Sequence, residues 1–241
     1  MSSDRDDKHL PAILCLHGGG TSALIFQLQT IQLRHALRND FRFVFANAPV
    51  ESEPGPGVMP FFETCGPYYM WIVTDPVTNK PRGLDESIAT LEALEHEQGP
   101  FVGILGFSQG TMVGLGLLLR DQLRARSAGY KFAVLVGGSR PPLPLTDGLQ
   151  DRLLSGDERW ESWTDWAHYV DGIVHVPTIH VHGSGDVYVQ ENKFRQLGFC
   201  DRDKATVLDY EGEHHMPRKK EDTLKLAELI RQTYQKESQK G

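Results

Sequence analysis

The chain has 241 residues, 39% of them hydrophobic and 24% charged, with a formal net charge of −7. That length and apolar content suit one large α/β domain, or two small ones, with a sizeable core. Charges of both signs are dispersed with no basic block, which argues against nucleic acid as a partner, and no stretch approaches the ~18 apolar residues of a membrane span.

The first ten residues, MSSDRDDKHL, are polar and acidic and carry no apolar h-region, so they do not read as a signal peptide. A cytoplasmic protein is expected, with residues 1–10 as a polar segment, 11–235 as a single α/β domain and 236–241 as a polar tail. Five apolar runs read as strands buried on both faces: AILCLH from Ala12, FRFVFANAP from Phe41, FVGILGF from Phe101, KFAVLVGG from Lys131 and PTIHVHG from Pro177. ATVLDY from Ala205 is a weaker sixth. Between them the spacing predicts helices. Leu24, Leu28 and Ile31 share one face. Ile88, Leu91 and Leu94 follow Asp85, an expected N-cap, and Gly99 ends that helix. Met112 to Leu119 is apolar nearly all round, and Leu226, Leu229 and Ile230 mark a final amphipathic helix. Strands alternating with helices predict a doubly wound, mostly parallel sheet.

Two segments break the alternation. Residues 49–83 hold seven of the 14 prolines together with Phe61, Phe62, Tyr68, Tyr69 and Trp71, and residues 140–172 hold Trp160, Trp163 and Trp166. Both are expected to be insertions over the sheet, because long aromatic loops in a compact domain tend to be functional. The three cysteines, Cys15, Cys65 and Cys200, have no regular spacing and give neither a disulfide framework nor a zinc pattern. Cys15, inside a strand, is expected to be a small buried hydrophobe.

The sequence GFSQG at residues 106–110 ends one strand and opens a helix. A plain turn satisfies that pattern, but so does a nucleophile elbow, in which Gly106 and Gly110 allow a turn tight enough to raise the Ser108 hydroxyl above the sheet. Serine needs a histidine base, and the histidine needs a carboxylate. HGSGD, after the fifth strand, ends in Asp186; EGEHHMP, after the last, supplies His214 and His215. The order Ser, Asp, His and the position of all three at carboxyl ends of strands match the α/β-hydrolase arrangement. LHGGGTS, after the first strand, offers the amide of Gly19 or Gly20 as one oxyanion donor, and the amide of Gln109 offers the other. His17 is expected to hold this loop by hydrogen bonding. His180 and His182, alternating on one strand, are expected to be packed or hydrogen-bonded, with no metal.

These segments, LHGGGTSALIFQLQ, GPFVGILGFSQGT, HVHGSGDVYV and EGEHHMP, resemble the FSH serine hydrolases over residues 11–235. That family includes fungal polyketide-cluster hydrolases and thioesterases and the ovarian-cancer-associated serine hydrolase. The resemblance implies an α/β-hydrolase fold and a cofactor-independent acyl-serine mechanism with Ser108, Asp186 and His214 as the triad. It implies an acyl thioester or ester substrate, with a polyketide synthase acyl carrier domain as partner. A general small-molecule carboxylesterase is the alternative, and a non-catalytic binding protein is less favoured by the intact triad. Phe61, Tyr68, Tyr69, Trp71 and His215 are candidate substrate contacts, with His215 otherwise packing on Pro217. Two positions depart from the family pattern. Val102 stands where an aspartate is usual, and Glu213 where a glycine is usual, placing a carboxylate beside His214 that is expected to raise the imidazole pKa.

Overall fold

In the computed structural model, residues 8–75, 81–123, 129–140, 142–143, 145, 174–188 and 196–240 are described. The tryptophans expected in the second insertion lie outside them.

Six strands form one parallel sheet: β1 (Ala12–Leu16), β2 (Arg42–Ala46), β7 (Phe101–Phe107), β8 (Phe132–Val136), β9 (Thr178–Gly183) and β10 (Ala205–Tyr210), in the order β10-β9-β8-β7-β1-β2. The weak sixth run is thus a true strand, at the edge of the sheet. Alternate residues of β1 serve opposite faces, as the 2-residue period of a strand demands. Ala12, Leu14 and Leu16 join one apolar cluster; Ile13 and Cys15 join the other. The first cluster is closed by α3 (Leu84–Gln98) and α4 (Gln109–Leu123), the second by α1 (Ala23–Gln29), α2 (Ile31–Ala36) and α5 (Lys220–Ser238). Cys15 is fully buried, as expected.

Order reverses between β1 and β7. From β1 the chain steps outward to β2, then crosses to β7 and continues the other way to β10. Ligand sites of open α/β sheets gather at the carboxyl ends of strands beside such a reversal. Leu16 pairs with Gly106, and Phe107 with Val136, so the loops after β1, β7 and β8 leave the sheet at one level.

Two small antiparallel ribbons follow β2: β3 (Val50–Ser52) pairs with β4 (Tyr68–Met70) and β5 (Val73–Thr74) with β6 (Pro81–Arg82). An isolated antiparallel bridge joins Thr21 to Tyr69, so β4 lies across the loop that follows β1.

The helix assignments need two corrections. Leu24, Leu28 and Ile31 are exposed (52%, 44% and 57%), whereas Ile25, Phe26 and Leu33 are buried. The helix breaks at Thr30, whose Oγ1 donates to the Phe26 carbonyl (2.7 Å), and Phe26 sets the inward face by packing on Phe45 and Phe107. The N-cap of α3 is Gly83, at φ 90°, and Asp85 lies in the first turn. There its carboxylate faces the positive end of the helix dipole without capping an amide. Gly99 does end α3, and Met112 to Leu119 are buried in α4. α5 buries Leu226 and Ile230, each contributing about 2 kcal/mol of apolar burial, and runs on to Ser238 beyond the expected domain end. Arg120, 1% exposed, ties α4 to Glu95 of α3 at 2.9 Å.

Candidate active site

Ser108 is the only non-glycine residue with positive φ (50°) among the described residues. Its amide donates to the Val136 carbonyl at 2.9 Å, which fixes the turn to the neighbouring strand. The flanking glycines are steric requirements. A Cβ at Gly106 would lie 2.6 Å from the Gly110 carbonyl oxygen, and one at Gly110 would lie 2.1 Å from that of Leu16. Holding a serine in the left-handed region costs ~1–3 kcal/mol, the kind of strain that functional turns carry. Gln109 is the first residue of α4, so its amide has no acceptor within the helix.

His17 is fully buried under the loop after β1. Its Nε2 accepts from the Ala48 amide (3.0 Å), so Nδ1 carries the hydrogen and donates to the Gly18 carbonyl (2.7 Å). The Thr21 hydroxyl donates to the same carbonyl (2.6 Å). Burial lowers the His17 pKa to about 4, keeping the imidazole neutral. Because a trans peptide is planar, fixing the Gly18 carbonyl turns the Gly19 N–H to the opposite side. A Cβ at Gly18 would lie 3.3 Å from Ser108 Cβ, so this loop passes directly beside the elbow. Gly20 does not meet its expectation as an oxyanion donor. Its amide is committed to the Tyr69 carbonyl at 2.9 Å, which leaves Gly19.

Asp186 is 1% exposed and its Oδ2 lies 2.6 Å from His214 Nδ1. Its Oδ1 accepts from the Tyr188 amide (2.9 Å). The carboxylate is therefore held from both oxygens, and with its hydrogen on Nδ1 His214 keeps Nε2 as an acceptor. The imidazole is flanked by the rings of Phe107 and Tyr188, each with its centroid 5.0 Å away. Gly137, at φ 62°, lets both partners approach: a Cβ there would lie 2.9 Å from His214 Cε1 and 3.4 Å from Asp186 Oδ2. Phe107 precedes Ser108 and Gly137 follows the residue that anchors the Ser108 amide. The pair is thereby brought to the elbow.

His215 faces elsewhere. Its Nε2 accepts from the Glu213 amide (3.3 Å) and its Nδ1 donates to the Met216 carbonyl (2.7 Å), while Tyr210 donates its hydroxyl to the carbonyls of Glu213 and His215. The residue expected to contact substrate is a brace of its own loop. Glu213 is exposed, and its Cγ would lie 3.7 Å from a Cβ at Gly185.

The aromatic residues of the first insertion do not act as a group. Trp71 is fully buried in the core. Its indole N–H donates to the His17 carbonyl (2.9 Å), its carbonyl accepts from Ser87 (2.6 Å), and its ring lies 5.4 Å from that of His17. The expectation of a substrate-lining tryptophan fails because the ring is consumed in supporting the loop after β1. Tyr68 donates its hydroxyl to the carbonyls of Phe62 and Glu63. Tyr69 packs partly on the core, and Phe61 is 85% exposed.

His180 and His182 are buried, and burial lowers the His180 pKa to about 3. His180 Nε2 lies 3.0 Å from Thr178 Oγ1, and His182 Nδ1 3.7 Å from Asp209. Among the described residues no cluster of three or more His, Cys, Asp or Glu is placed to hold a metal, and no helix is long and apolar enough to cross a membrane.

Sequence reasoning missed the side-chain role of Gln109, whose amide group bonds the backbone of Trp71 and Ile72. It also missed Tyr188 and Gly137. For Gly137 a signal was present in the Gly-Gly that closes the fourth strand.

The chain is 34% identical over 236 residues to "Esterase FUS5" of Gibberella fujikuroi, covering 96% of this chain and 91% of that protein. It is 35% identical over 245 residues to "Esterase citA" of Monascus ruber, covering 94% and 93%. It is 34% identical over 251 residues to "Thioesterase FSL2" of Gibberella zeae, covering 95% and 94%. Among solved structures, the esterase PE8 shares the fold at a TM-score of 0.54 and 18% identity, covering 92% of each chain. A monoacylglycerol lipase of Paleococcus ferrophilus does so at 0.57 and 11%, covering 95% of this chain and 96% of that one. The family model described as "Serine hydrolase (FSH1)" matches residues 7–226. The chain is an α/β-hydrolase and belongs to the FSH1 serine hydrolase family, whose relatives here are esterases and thioesterases.

Proposed function

We propose that Ser108 is the nucleophile of this hydrolase, His214 its base and Asp186 the group that orients the base. The 2.6 Å contact between Asp186 and His214, delivered beside a strained serine, carries the reading. His214 Nε2 takes the hydroxyl proton as Ser108 Oγ bonds to the acyl carbon, and the carbonyl electrons move to oxygen. The amides of Gln109 and Gly19 receive that oxyanion. As the tetrahedral species collapses, the bond to the thiol or alcohol breaks and His214 returns the proton to the leaving group. Water then repeats the sequence, releasing the acid and free Ser108. Asp186 keeps its charge throughout and stabilises the imidazolium.

The proposed substrate is an acyl thioester, carried on an acyl carrier protein of polyketide assembly, in the cytoplasm. Support comes from the relatives, which include a thioesterase. The second reading, hydrolysis of small esters, draws on Trp71. With that ring in the core, the first insertion offers less apolar surface to a long acyl chain. A series of acyl thioesters and matched esters of rising chain length tests the choice. Thioester preference, with kcat/KM rising with chain length at up to ~0.8 kcal/mol per buried methylene, supports the first reading. A flat profile with faster ester cleavage supports the second.

A further inference from the structure

The Gln109 side chain makes a two-point contact 37–38 residues away in sequence. Its Oε1 accepts from the Trp71 amide (2.7 Å), and its Nε2 donates to the Ile72 carbonyl (3.0 Å). Both ends of the side-chain amide are satisfied, so its orientation is fixed. On the way it crosses Gly19: a Cβ there would lie 3.4 Å from Gln109 Cδ and 3.4 Å from Oε1. The same stretch of chain is stitched to the other side of the site. Gly20 donates to the Tyr69 carbonyl (2.9 Å), Tyr69 donates to Thr21 (2.7 Å), and the Trp71 indole donates to the His17 carbonyl (2.9 Å).

Residues 69–72 therefore add a second link between two loops that leave the paired strands β1 and β7. One is the loop of His17 to Thr21, and the other is the start of α4. Two donors that stabilise one oxyanion must keep their separation while charge develops, and donors fixed in advance need no reorganisation in the transition state. Strand pairing places the two loops side by side, the backbone of residues 69–72 bonds to both beyond the ends of the strands, and the Gln109 side chain is its attachment on the α4 side.

We propose that the Gln109 side chain is a positioning residue that sets the spacing of the Gln109 and Gly19 amides by clamping the Trp71–Ile72 backbone. It acts apart from its own backbone amide and touches no reacting atom. The inference rests on the serine-hydrolase reading of Ser108.

The test compares wild type with Gln109→Met, which keeps length and volume but neither hydrogen bond, and Gln109→Asn, which is one methylene shorter. Active sites are counted by stoichiometric fluorophosphonate labelling. The readouts are kcat per labelled site, KM, and Ki for an alkyl boronic acid that forms a tetrahedral adduct with the serine. The expected result is a fall in kcat of about 10-fold or more with KM within about 3-fold, and a boronate Ki that rises in step with the loss of kcat/KM. A contact that served only folding would lower the melting temperature and the labelled fraction while leaving kcat per labelled site and boronate affinity unchanged. That result would overturn the proposal, as would failure of both variants to fold. A wild type that fluorophosphonate does not label would instead sink the hydrolase reading itself.

Discussion

Oδ2 of Asp186 lies 2.6 Å from Nδ1 of His214, across 28 residues of chain and between the ends of two adjacent parallel strands. A carboxylate at that point fixes the hydrogen on Nδ1 and leaves Nε2 as the acceptor that the proposed mechanism uses as base. Asp186→Asn presents an amide that favours the wrong tautomer. The expected loss in kcat is about 10³–10⁴-fold, with the melting temperature nearly unchanged. Steady-state kinetics paired with a thermal melt checks both parts.

His214 and His215 are neighbours with different partners. Both ring nitrogens of His215 are engaged inside their own loop. His215→Ala should keep activity within about 10-fold, whereas His214→Ala should lose about 10³-fold or more. Equal losses from the two variants in single-turnover assays would contradict this division.

Trp71 is a core residue, and its removal should cost stability. With its ring fully buried and its indole N–H bonded to the His17 carbonyl, Trp71→Ala should cost about 3–5 kcal/mol. Urea unfolding measures it. The preference among acyl lengths, taken per labelled active site, should not change. A variant of unchanged stability and altered chain-length preference would restore the substrate-lining role.

The central strands were legible because both of their faces are covered, which turns each into a continuous apolar run, whereas the edge strand β10, partly exposed, gave a weaker signal. The glycines of the elbow were legible because backbone sterics act within a few residues. Other features depended on distant partners. The inward face of the first helix was misread because Leu24, Leu28 and Ile31 repeat at helical spacing while the chain actually breaks at Thr30. Trp71 and the Gln109 side chain could not be placed because each is defined by a contact to another loop. Gly20 looked equivalent to Gly19 until β4 claimed its amide.

Acid should unfold the protein by a route that begins at two buried imidazoles. Burial lowers His17 from 6.5 to about 4 and His180 from 6.5 to about 3. As pH falls below 6.5, the unfolded chain takes up a proton at each position that the folded chain refuses. Unfolding then binds protons, and stability decreases with falling pH. For His17 the loss runs from about pH 6.5 to about 4 and amounts to ~3 kcal/mol at ~1.4 kcal/mol per pKa unit, and for His180 it continues about one unit lower. Urea midpoints measured between pH 7 and pH 4 should fall, and His17→Asn should flatten the slope. Protonated His17 would also turn an N–H toward the Ala48 amide that it now accepts from, so loss of activity should accompany the loss of stability.

The most direct measurement is the mass of the protein after reaction with a fluorophosphonate, followed by peptide mapping. The account predicts one adduct per chain, carried by the peptide that contains Ser108, and none in Ser108→Ala. An adduct on another residue, or labelling of Ser108→Ala at the wild-type rate, would contradict it.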